Sequence, residues 1–142
     1  MRRGLSTGSV SWLLDTNICI YLLKQKPRAV LDRLRGVEIT SVAISSVTLA
    51  ELEYGVAKSS RPDQNREALA ALVAPLAVAP FDDAAAARYG PLRAELERRG
   101  RPIGSLDMLI AAHALSLGRT LVTNDEREFS RVPGLPVENW AG

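Results

Sequence analysis

Five short apolar segments along the chain predict β-strands. Several of them are apolar at consecutive positions instead of alternating with polar residues, which is typical of strands covered on both faces of a parallel sheet. The predicted strands are 11–14, 38–45, 75–81, 119–123 and 135–140.

Helical periodicity predicts that the intervening segments are α-helices. The predicted helices are 17–25, 27–36, 48–59, 62–73, 82–100 and 105–118. The second begins at Pro27 and ends at Gly36, the residue types favoured at those two positions, whereas Pro91 is expected to bend or split the fifth. Strands that alternate with helices predict the α/β class, here a three-layer α/β/α sandwich with a central, mostly parallel five-stranded sheet.

The length of the chain indicates a single domain. The 142 residues can bury a sizeable core without a disulfide or a structural metal, and we expect residues 1–10 to form a flexible leader before a single domain at 11–142. Cys19 is the only cysteine, so no disulfide can form within the chain, and a reducing compartment, the cytoplasm, is favoured. No apolar segment approaches the ~18 residues of a membrane span, so we expect no membrane association.

Four acidic residues lie within or beside apolar segments and near the ends of predicted strands. They are Asp15, Glu51, Asp107 and Asp125. Because the carboxyl ends of the strands in an α/β sheet open onto one crevice, we expect these side chains to converge. Each pair of carboxylates at about 4 Å costs ~4 kcal/mol at an effective dielectric constant near 20, and divalent cations relieve this repulsion. Ligation by oxygen alone selects Mg²⁺ or Mn²⁺ over zinc, and such an ion activates water and polarises phosphoryl oxygens.

Each acid also has an ordinary structural explanation. Thr48 and Glu51 have the spacing of a capping box at a helix start, and Asp107 would favour the N-terminus of its own helix electrostatically. Asp125 would suit the first turn of a helix, and Glu128 competes with it as the fourth acid of the cluster. A carboxylate at a strand end gains little structurally, so Asp15 is the acid that most needs a functional explanation.

Other catalytic arrangements lack the residues that they need. The chain contains neither a GxGxxG nor a GxxxxGK[ST] phosphate-binding loop. Its only histidine, His113, lies at helical spacing from Leu109 and Leu117, which favours packing or a structural hydrogen bond over a role beside a nucleophile. Cys19 lies on an apolar helix face and is expected in the core.

The charge balance indicates a polyanionic substrate. The chain has 18 basic and 16 acidic residues, so setting the four clustered acids aside leaves a net charge of +6 for the remainder. A basic surface around an acidic, metal-binding pocket suits the hydrolysis of nucleic acid. Aromatic residues are few and are not interleaved with the basic ones along the sequence, so the sequence gives little sign of a stacking surface for single strands.

Four stretches of the chain, in order, resemble the PIN-domain ribonucleases and, among them, the VapC-type toxins of bacterial type II toxin–antitoxin pairs. They are "LLDTNICIYLL", "SSVTLAELEYGVAKS", "RPIGSLDMLIAAHALSLGRTLVTND" and "REFSRVPGLPVENW". Together they extend over nearly all of the chain from Trp12 onward. The resemblance implies Mg²⁺- or Mn²⁺-dependent endonucleolytic cleavage of RNA, with transfer RNA the favoured substrate and inhibition of translation the result.

The resemblance also assigns roles to individual residues. The first three acids of the family pattern fall on Asp15, Glu51 and Asp107, and the fourth falls on Asp125, where similar toxins often have Asn. By resemblance, Asp15 and Asp107 would be direct metal ligands, and Glu51 and Asp125 would complete the set directly or through water. Small polar residues of such sites also match in this sequence: Thr16 and Thr123.

The resemblance implies partners as well. VapC-type toxins form dimers and are held inactive by a cognate VapB-type antitoxin, so a homodimer and an antitoxin partner are expected for this chain. The apolar faces of helices 17–25 and 27–36, around Tyr21, Leu22 and Leu31, are the expected antitoxin groove, with the protein's own core as the alternative for these side chains.

Two rival functions are weighed against the ribonuclease. A catalytically silent metal-binding partner protein of the same fold would be expected to have lost one of the acids, and none is lost. A phosphate-handling enzyme with Asp15 as a covalent nucleophile would need the second aspartate of a DxD arrangement, and "DTN" lacks it.

Overall fold

The computed structural model describes residues 11–142, and within them five strands form one sheet. The strands are β1 (Trp12–Leu14), β2 (Val42–Ser45), β3 (Ala77–Ala79), β4 (Thr120–Val122) and β5 (Val137–Glu138). Their spatial order is β3-β2-β1-β4-β5, and every neighbouring pair is parallel. Leu13 of β1 lies opposite Ala43 of β2 and Leu121 of β4. The central strand β1 is therefore hydrogen-bonded along both of its edges.

Seven helices connect and cover these strands in the described part of the chain. They are α1 (Thr16–Lys24), α2 (Arg28–Arg35), α3 (Ser46–Ala57), α4 (Pro62–Val73), α5 (Asp83–Arg98), α6 (Ser105–Leu117) and α7 (Glu126–Phe129). A short 3₁₀ turn at Ile39–Ser41 precedes β2. Strands and helices alternate, as the apolar pattern of the sequence predicts.

The sheet separates two hydrophobic cores. Successive residues of a strand point to opposite faces of the sheet, so Leu14 packs in a cluster with Ile18 of α1, whereas its neighbour Leu13 packs with Ile110 of α6. Helices α1 to α4 contribute to the first core, and α5, α6 and α7 contribute to the second. The predicted three-layer α/β/α sandwich is confirmed, with a sheet that is parallel throughout.

Two details of the prediction differ from the structure: the split that is one expected outcome at Pro91, and the length of the second strand. Pro91 does not split its helix, because α5 runs without interruption from Asp83 to Arg98. Proline removes one backbone donor, and the burial of Leu92 and Leu96 in the second core keeps the helix continuous on either side of that gap. The second strand is also shorter than predicted, since the 3₁₀ turn occupies the first half of the apolar segment 38–45.

Three further expectations concern the leader, membrane-spanning helices and Cys19. The leader expected at residues 1–10 lies outside the described residues. Between residues 11 and 142, no helix is both long and apolar enough to cross a membrane. Cys19 is completely buried in the first core, as predicted.

Candidate active site

Asp15 is a buried carboxylate held at the carboxyl end of β1. Its side chain is only 3 % exposed, and its backbone N–H donates to the carbonyl of Val122, which extends the β1–β4 ladder by one residue. Oδ1 accepts the N–H of Thr16 at 2.7 Å, so Asp15 caps helix α1, and Oδ2 accepts the hydroxyl of Thr123 at 2.8 Å. These two donors explain how a carboxylate fits in the middle of an apolar segment.

The hydrogen bonds do not compensate fully for the burial of this carboxylate. Loss of solvent raises the pKa of Asp15 above its ordinary value, and the nearby charges of Glu51 and Asp125 raise it further, while the bonds from Thr123 and Thr16 act in the opposite sense. Negative charge therefore remains poorly stabilised at this position, which is the condition under which a cation binds favourably.

Glu51 is directed toward Asp15 by a hydroxyl on the neighbouring helix. The hydroxyl of Thr16 donates to Glu51 Oε1 at 2.6 Å, and the hydroxyl oxygen of Thr48 lies 3.3 Å from that of Thr16. The capping-box explanation for Glu51 is wrong, because α3 is capped by Ser45, whose Oγ accepts the N–H of Val47 at 3.0 Å. Thr48 lies inside the helix and cannot serve as its cap.

Asp107 lies in the first turn of α6, where it pairs with a second carboxyl group. The two carboxyl groups of Asp107 and Glu128 hydrogen-bond to each other, which requires that one of them carries a proton. Burial, the Glu128 contact and the charges of Asp15 and Glu51 together raise the pKa of Asp107 to about 8. The pKa of Glu128 is lowered by that hydrogen bond and by the N–H of Gly104, which donates to Oε1 at 3.0 Å. The shared proton therefore belongs to Asp107 at neutral pH.

The position of Asp107 at a helix start does not remove the need for a functional explanation. An acidic side chain in the first turn is favoured by the helix dipole, but a neutral, protonated one gains little from it. The carboxyl group also approaches the backbone closely, since a Cβ added to Gly104 would lie 3.2 Å from Asp107 Oδ2.

Asp125 and Glu128 divide the features expected of a fourth acid. Asp125 caps the short helix α7, where its Oδ1 accepts the N–H of Glu128 at 3.2 Å, and its own N–H donates to the hydroxyl of Thr123 at 3.0 Å. Its charge still reaches Asp15 and contributes to the raised pKa there. Glu128 instead contacts Asp107 directly. The structure thus brings both residues to the cluster of acids. Asp125 lies near Asp15, and Glu128 lies near Asp107.

Three of the predicted acids open onto one cleft of about 740 Å³, to which α1, α3 and α6 all contribute. The acids are Asp15, Glu51 and Asp107. The rim of the same cleft carries Tyr54, Lys58 and Leu106, none of which the sequence analysis singled out. Their common feature is exposure, and only the helix geometry that brings them beside the acids indicates a role.

The carboxylate oxygens of the cleft are ligands that suit a hard divalent cation. The side chains alone do not surround a metal position. Within residues 11–142, no three Asp, Glu, His or Cys side chains lie close enough together to hold a metal ion by themselves. Mg²⁺ commonly binds through one or two carboxylates and keeps several waters. The raised pKa values of Asp15 and Asp107 show that negative charge on these carboxyl groups is costly without a cation nearby.

His113 has a structural explanation. His113 is completely buried, its Nδ1 lies 2.8 Å from the hydroxyl of Ser45, and burial lowers its pKa, so the predicted structural hydrogen bond is confirmed.

Leu22 is buried in the first core and Leu31 packs against it, while the hydroxyl of Tyr21 accepts the side-chain N–H of Asn124 at 3.0 Å. Leu22 is therefore a core residue, whereas Tyr21 and Leu31 pack against the core and stay half-exposed, so the expected antitoxin groove stays a prediction at these two positions.

An apolar channel does exist on another face of α1. It is a cavity of about 290 Å³ between α1, α3 and α4, lined in part by Ile20, Leu23 and Val56. It adjoins the acid cleft, with which it shares Ile20, Glu51 and Gly55.

Comparison with known proteins defines the class to which this fold and cleft belong. The PIN domain family matches residues 12–135, and the chain belongs to that family. Within it, the chain belongs to the VapC ribonucleases of toxin–antitoxin systems. It is 46 % identical over 132 residues to the tRNA(fMet)-specific endonuclease VapC of Shigella flexneri, a match that covers 93 % of this chain and 99 % of that protein. It is 43 % identical to the ribonuclease VapC2 of Rickettsia felis, with 91 % and 97 % covered.

Solved structures show the same relationship. The fold matches DNA-bound VapBC from Salmonella typhimurium with a TM-score of 0.88 and 42 % identity, over 93 % of this chain and 99 % of the other. It matches VapBC2 from Rickettsia felis bound to a DNA fragment from the promoter with a TM-score of 0.87 and 42 % identity, over 92 % and 99 %. The resemblance inferred from the four sequence stretches is confirmed, and so is the prediction of a nuclease.

Proposed function

We propose that this chain is an Mg²⁺-dependent endoribonuclease that acts as the toxin of a toxin–antitoxin pair and inhibits translation by cutting transfer RNA. The observation that carries the proposal is the convergence of Asp15, Glu51 and Asp107 on one cleft at the carboxyl end of the sheet, with the pKa of both aspartates raised. Such a site gains most from a divalent cation, and Mn²⁺ is the expected substitute.

The proposed mechanism divides the work among the acids and the hydroxyls that orient them. Asp15 and Asp107 would hold the ion directly, and Glu51 and Asp125 would complete the set directly or through water. When bound there, the ion would supply positive charge suited to activating a water and to stabilising the charge on a phosphodiester. Thr16 holds the carboxylate of Glu51 in the direction of the cleft.

Two other side chains prepare this arrangement. Thr123 keeps one oxygen of Asp15 fixed by its hydroxyl, which leaves the orientation of that carboxylate determined before any ligand arrives. The carboxylate of Glu128 accepts a hydrogen bond from the proton on Asp107, which Asp107 must lose to bind a cation. It is therefore placed to accept that proton or to pass it to solvent.

Transfer RNA is proposed as the substrate because of the relatives' names. The VapC proteins of Shigella flexneri and Salmonella typhimurium are both tRNA(fMet)-specific endonucleases, at 46 % and 42 % identity over more than nine-tenths of this chain. The excess of basic residues outside the acid cluster agrees with a polyanionic substrate. Because transfer RNA is a cytoplasmic substrate, we expect the protein to act in the cytoplasm.

A VapB-type antitoxin is proposed as the partner, and a homodimer as the assembly. The solved relatives are VapBC complexes. The apolar channel beside the acid cleft, between α1, α3 and α4, is the surface that we expect an antitoxin segment to cover, because a chain bound there would reach the acids through the shared residues Ile20 and Glu51.

The experiment that tests the proposed function uses the full chain freed of any antitoxin. Purified protein is incubated with total bacterial RNA and with initiator transfer RNA, in Mg²⁺ or in EDTA, beside an Asp107→Asn variant. Discrete fragments that require both Mg²⁺ and Asp107 are expected. Cleavage that persists in EDTA or in the variant would contradict the metal mechanism, and an inert wild-type protein that still binds Mn²⁺ would favour the catalytically silent partner protein instead.

A further inference from the structure

The acid cleft has an exposed aromatic ring on its rim. Tyr54 is 66 % exposed, the highest value among the exposed large hydrophobic side chains of the described residues, and Leu106 follows at 46 %. Both line the cleft that contains Asp15, Glu51 and Asp107. Exposed side chains beside a cleft of this kind are available to contact whatever binds there.

Helix geometry places Tyr54 beside the acids. Tyr54 follows Glu51 by three residues in α3, and side chains three residues apart lie next to each other on the same face of a helix. The ring therefore lies one helical turn from a carboxylate whose direction is fixed by the hydroxyl of Thr16.

Lys58 adds a positive charge to this ring. It follows Tyr54 by four residues, and its Nζ lies 4.9 Å from the centroid of the ring. The ion pairs within residues 11–142 do not include Lys58, so its charge faces the cleft and solvent without a carboxylate partner. The pair is four positions apart within the predicted helix 48–59, so its members become neighbours once α3 forms, but only the structure places them beside the acids.

The acids alone cannot hold an RNA strand. Their negative charge repels phosphate, so the affinity for the strand must come from groups around them. An aromatic face next to a cation is the combination that binds unpaired nucleotides: the ring stacks on a base, and the cation contacts a phosphate.

We propose that Tyr54 is the stacking platform for an unpaired base next to the scissile phosphate, and that Lys58 contacts the phosphate backbone beside that base. The inference rests on the proposed ribonuclease function and deepens it, because it makes Tyr54 a specificity-determining residue for single-stranded loops. Base-paired RNA cannot present a free base to the ring, so the platform favours a loop over a stem.

The test uses two substitutions that separate stacking from hydroxyl chemistry. Tyr54→Leu removes the aromatic face and keeps apolar bulk, whereas Tyr54→Phe keeps the face and removes only the hydroxyl. Affinity for a fluorescent anticodon stem-loop of initiator transfer RNA is measured by anisotropy in the Asp107→Asn background, and kcat and KM are measured in the otherwise wild-type chain. We expect Tyr54→Leu to weaken binding and raise KM about 5- to 150-fold, with kcat at saturation within about twofold, and Tyr54→Phe to match the parent.

A set of stem-loops with one abasic position each identifies the stacked base. If Tyr54 stacks on one base, the loss caused by Tyr54→Leu disappears in the single RNA that lacks that base and persists in all the others. Lys58→Gln should weaken binding and flatten its salt dependence, and Lys26→Gln, a neutralisation of an exposed lysine that does not line the cleft, is the matched control and should do neither.

The outcomes that would overturn the inference are distinct from those that overturn the proposed function. Equal affinity of Tyr54→Leu and wild type overturns the stacking role, as does an equal loss in Tyr54→Phe or in every abasic RNA. If light scattering shows that Tyr54→Leu changes the oligomeric state, or calorimetry shows that it loses only antitoxin binding, Tyr54 is a protein contact and the inference is wrong. If instead the wild type binds the stem-loop through Tyr54 but cuts no RNA, the proposed function fails and the platform stands.

Discussion

Replacing Asp107 with asparagine should stabilise the metal-free protein more at alkaline pH than at acid pH. Burial, the contact with Glu128 and the charges of the surrounding acids raise the pKa of Asp107 from an ordinary 3.8 to about 8. The folded state therefore binds this proton more tightly than the unfolded state does. Stability from Asp107 is complete below about pH 4 and is lost as the pH rises through about 8, because the folded protein must then hold an unfavourable charge.

The size of this stabilisation follows from the pH interval over which the folded state holds the Asp107 proton and the unfolded state does not. One pH unit of differential proton binding is worth about 1.4 kcal/mol, so the interval from pH 5 to 8 sets an upper limit of about 4 kcal/mol. Asp107 is only half-buried, solvent screens its charge, and the lowered pKa of Glu128 offsets part of the loss. We therefore expect about 1–2 kcal/mol. Asparagine does not titrate, and its amide donates to Glu128 in place of the lost proton.

Urea unfolding in EDTA at pH 5 and at pH 8 measures this difference. For a slope near 2 kcal/mol per molar urea, the midpoint of Asp107→Asn relative to that of the wild type should be about 0.5–1 M higher at pH 8 than at pH 5. Added Mg²⁺ should raise the wild-type midpoint at pH 8 more than that of the variant, because the ion replaces the proton. An equal difference between variant and wild type at both pH values would refute the argument, since a pH-independent effect cannot come from the titration of Asp107.

Three further results are expected at single residues. Thr16→Val keeps the shape of the side chain but removes the hydrogen bond to Glu51. Its kcat/KM on RNA should fall about tenfold or more. A kcat/KM equal to that of the wild type at every pH of a pH-rate profile would contradict a positioning role for this hydroxyl. Burial raises the pKa of the Cys19 thiol, so a thiol reagent should label it only in denaturant, and rapid labelling of the native protein would show that the core opens there. Ser45→Ala removes the cap of α3, a bond from the N–H of Val47, and also leaves the buried Nδ1 of His113 without its partner. It should cost about 2–4 kcal/mol in thermal or urea unfolding, whereas Ser130→Ala, at an exposed serine, should cost less.

The arrangement of the sheet follows from features that are visible in the sequence. Leu13 and Leu14 are apolar on successive positions because they feed two different cores, which is what a strand covered on both faces requires. Asp15 follows them directly, and the carboxyl end of a central parallel strand opens onto a cleft. Local patterning therefore leads to both the fold class and the place where three of the acids meet.

Details decided by tertiary contacts could not be predicted in the same way. Four residues of α7 are too few to show helical periodicity, so the sequence gives no basis for choosing between Asp125 as its cap and Glu128 as the partner of Asp107. Spacing predicts the cap of α3 at Thr48, but Ser45 takes that role because β2 ends there and the side chain of His113 hydrogen-bonds to its hydroxyl. Spacing cannot show a partner that is 68 residues away.

The hydrogen bond from Thr123 to Asp15 joins residues that are 108 positions apart in the chain. This separation determines when the acid cleft can form during synthesis of the chain. A ribosome makes Asp15 and Glu51 early, but β1 has no partner on its β4 edge, and Asp15 has no bond from Thr123, until the last fifth of the chain has emerged. The same late segment supplies Glu128, which touches Asp107 and the backbone of Gly104. A chain that ends before Thr123 therefore lacks the parts that orient Asp15 and pair with Asp107, and we expect it to cut no RNA.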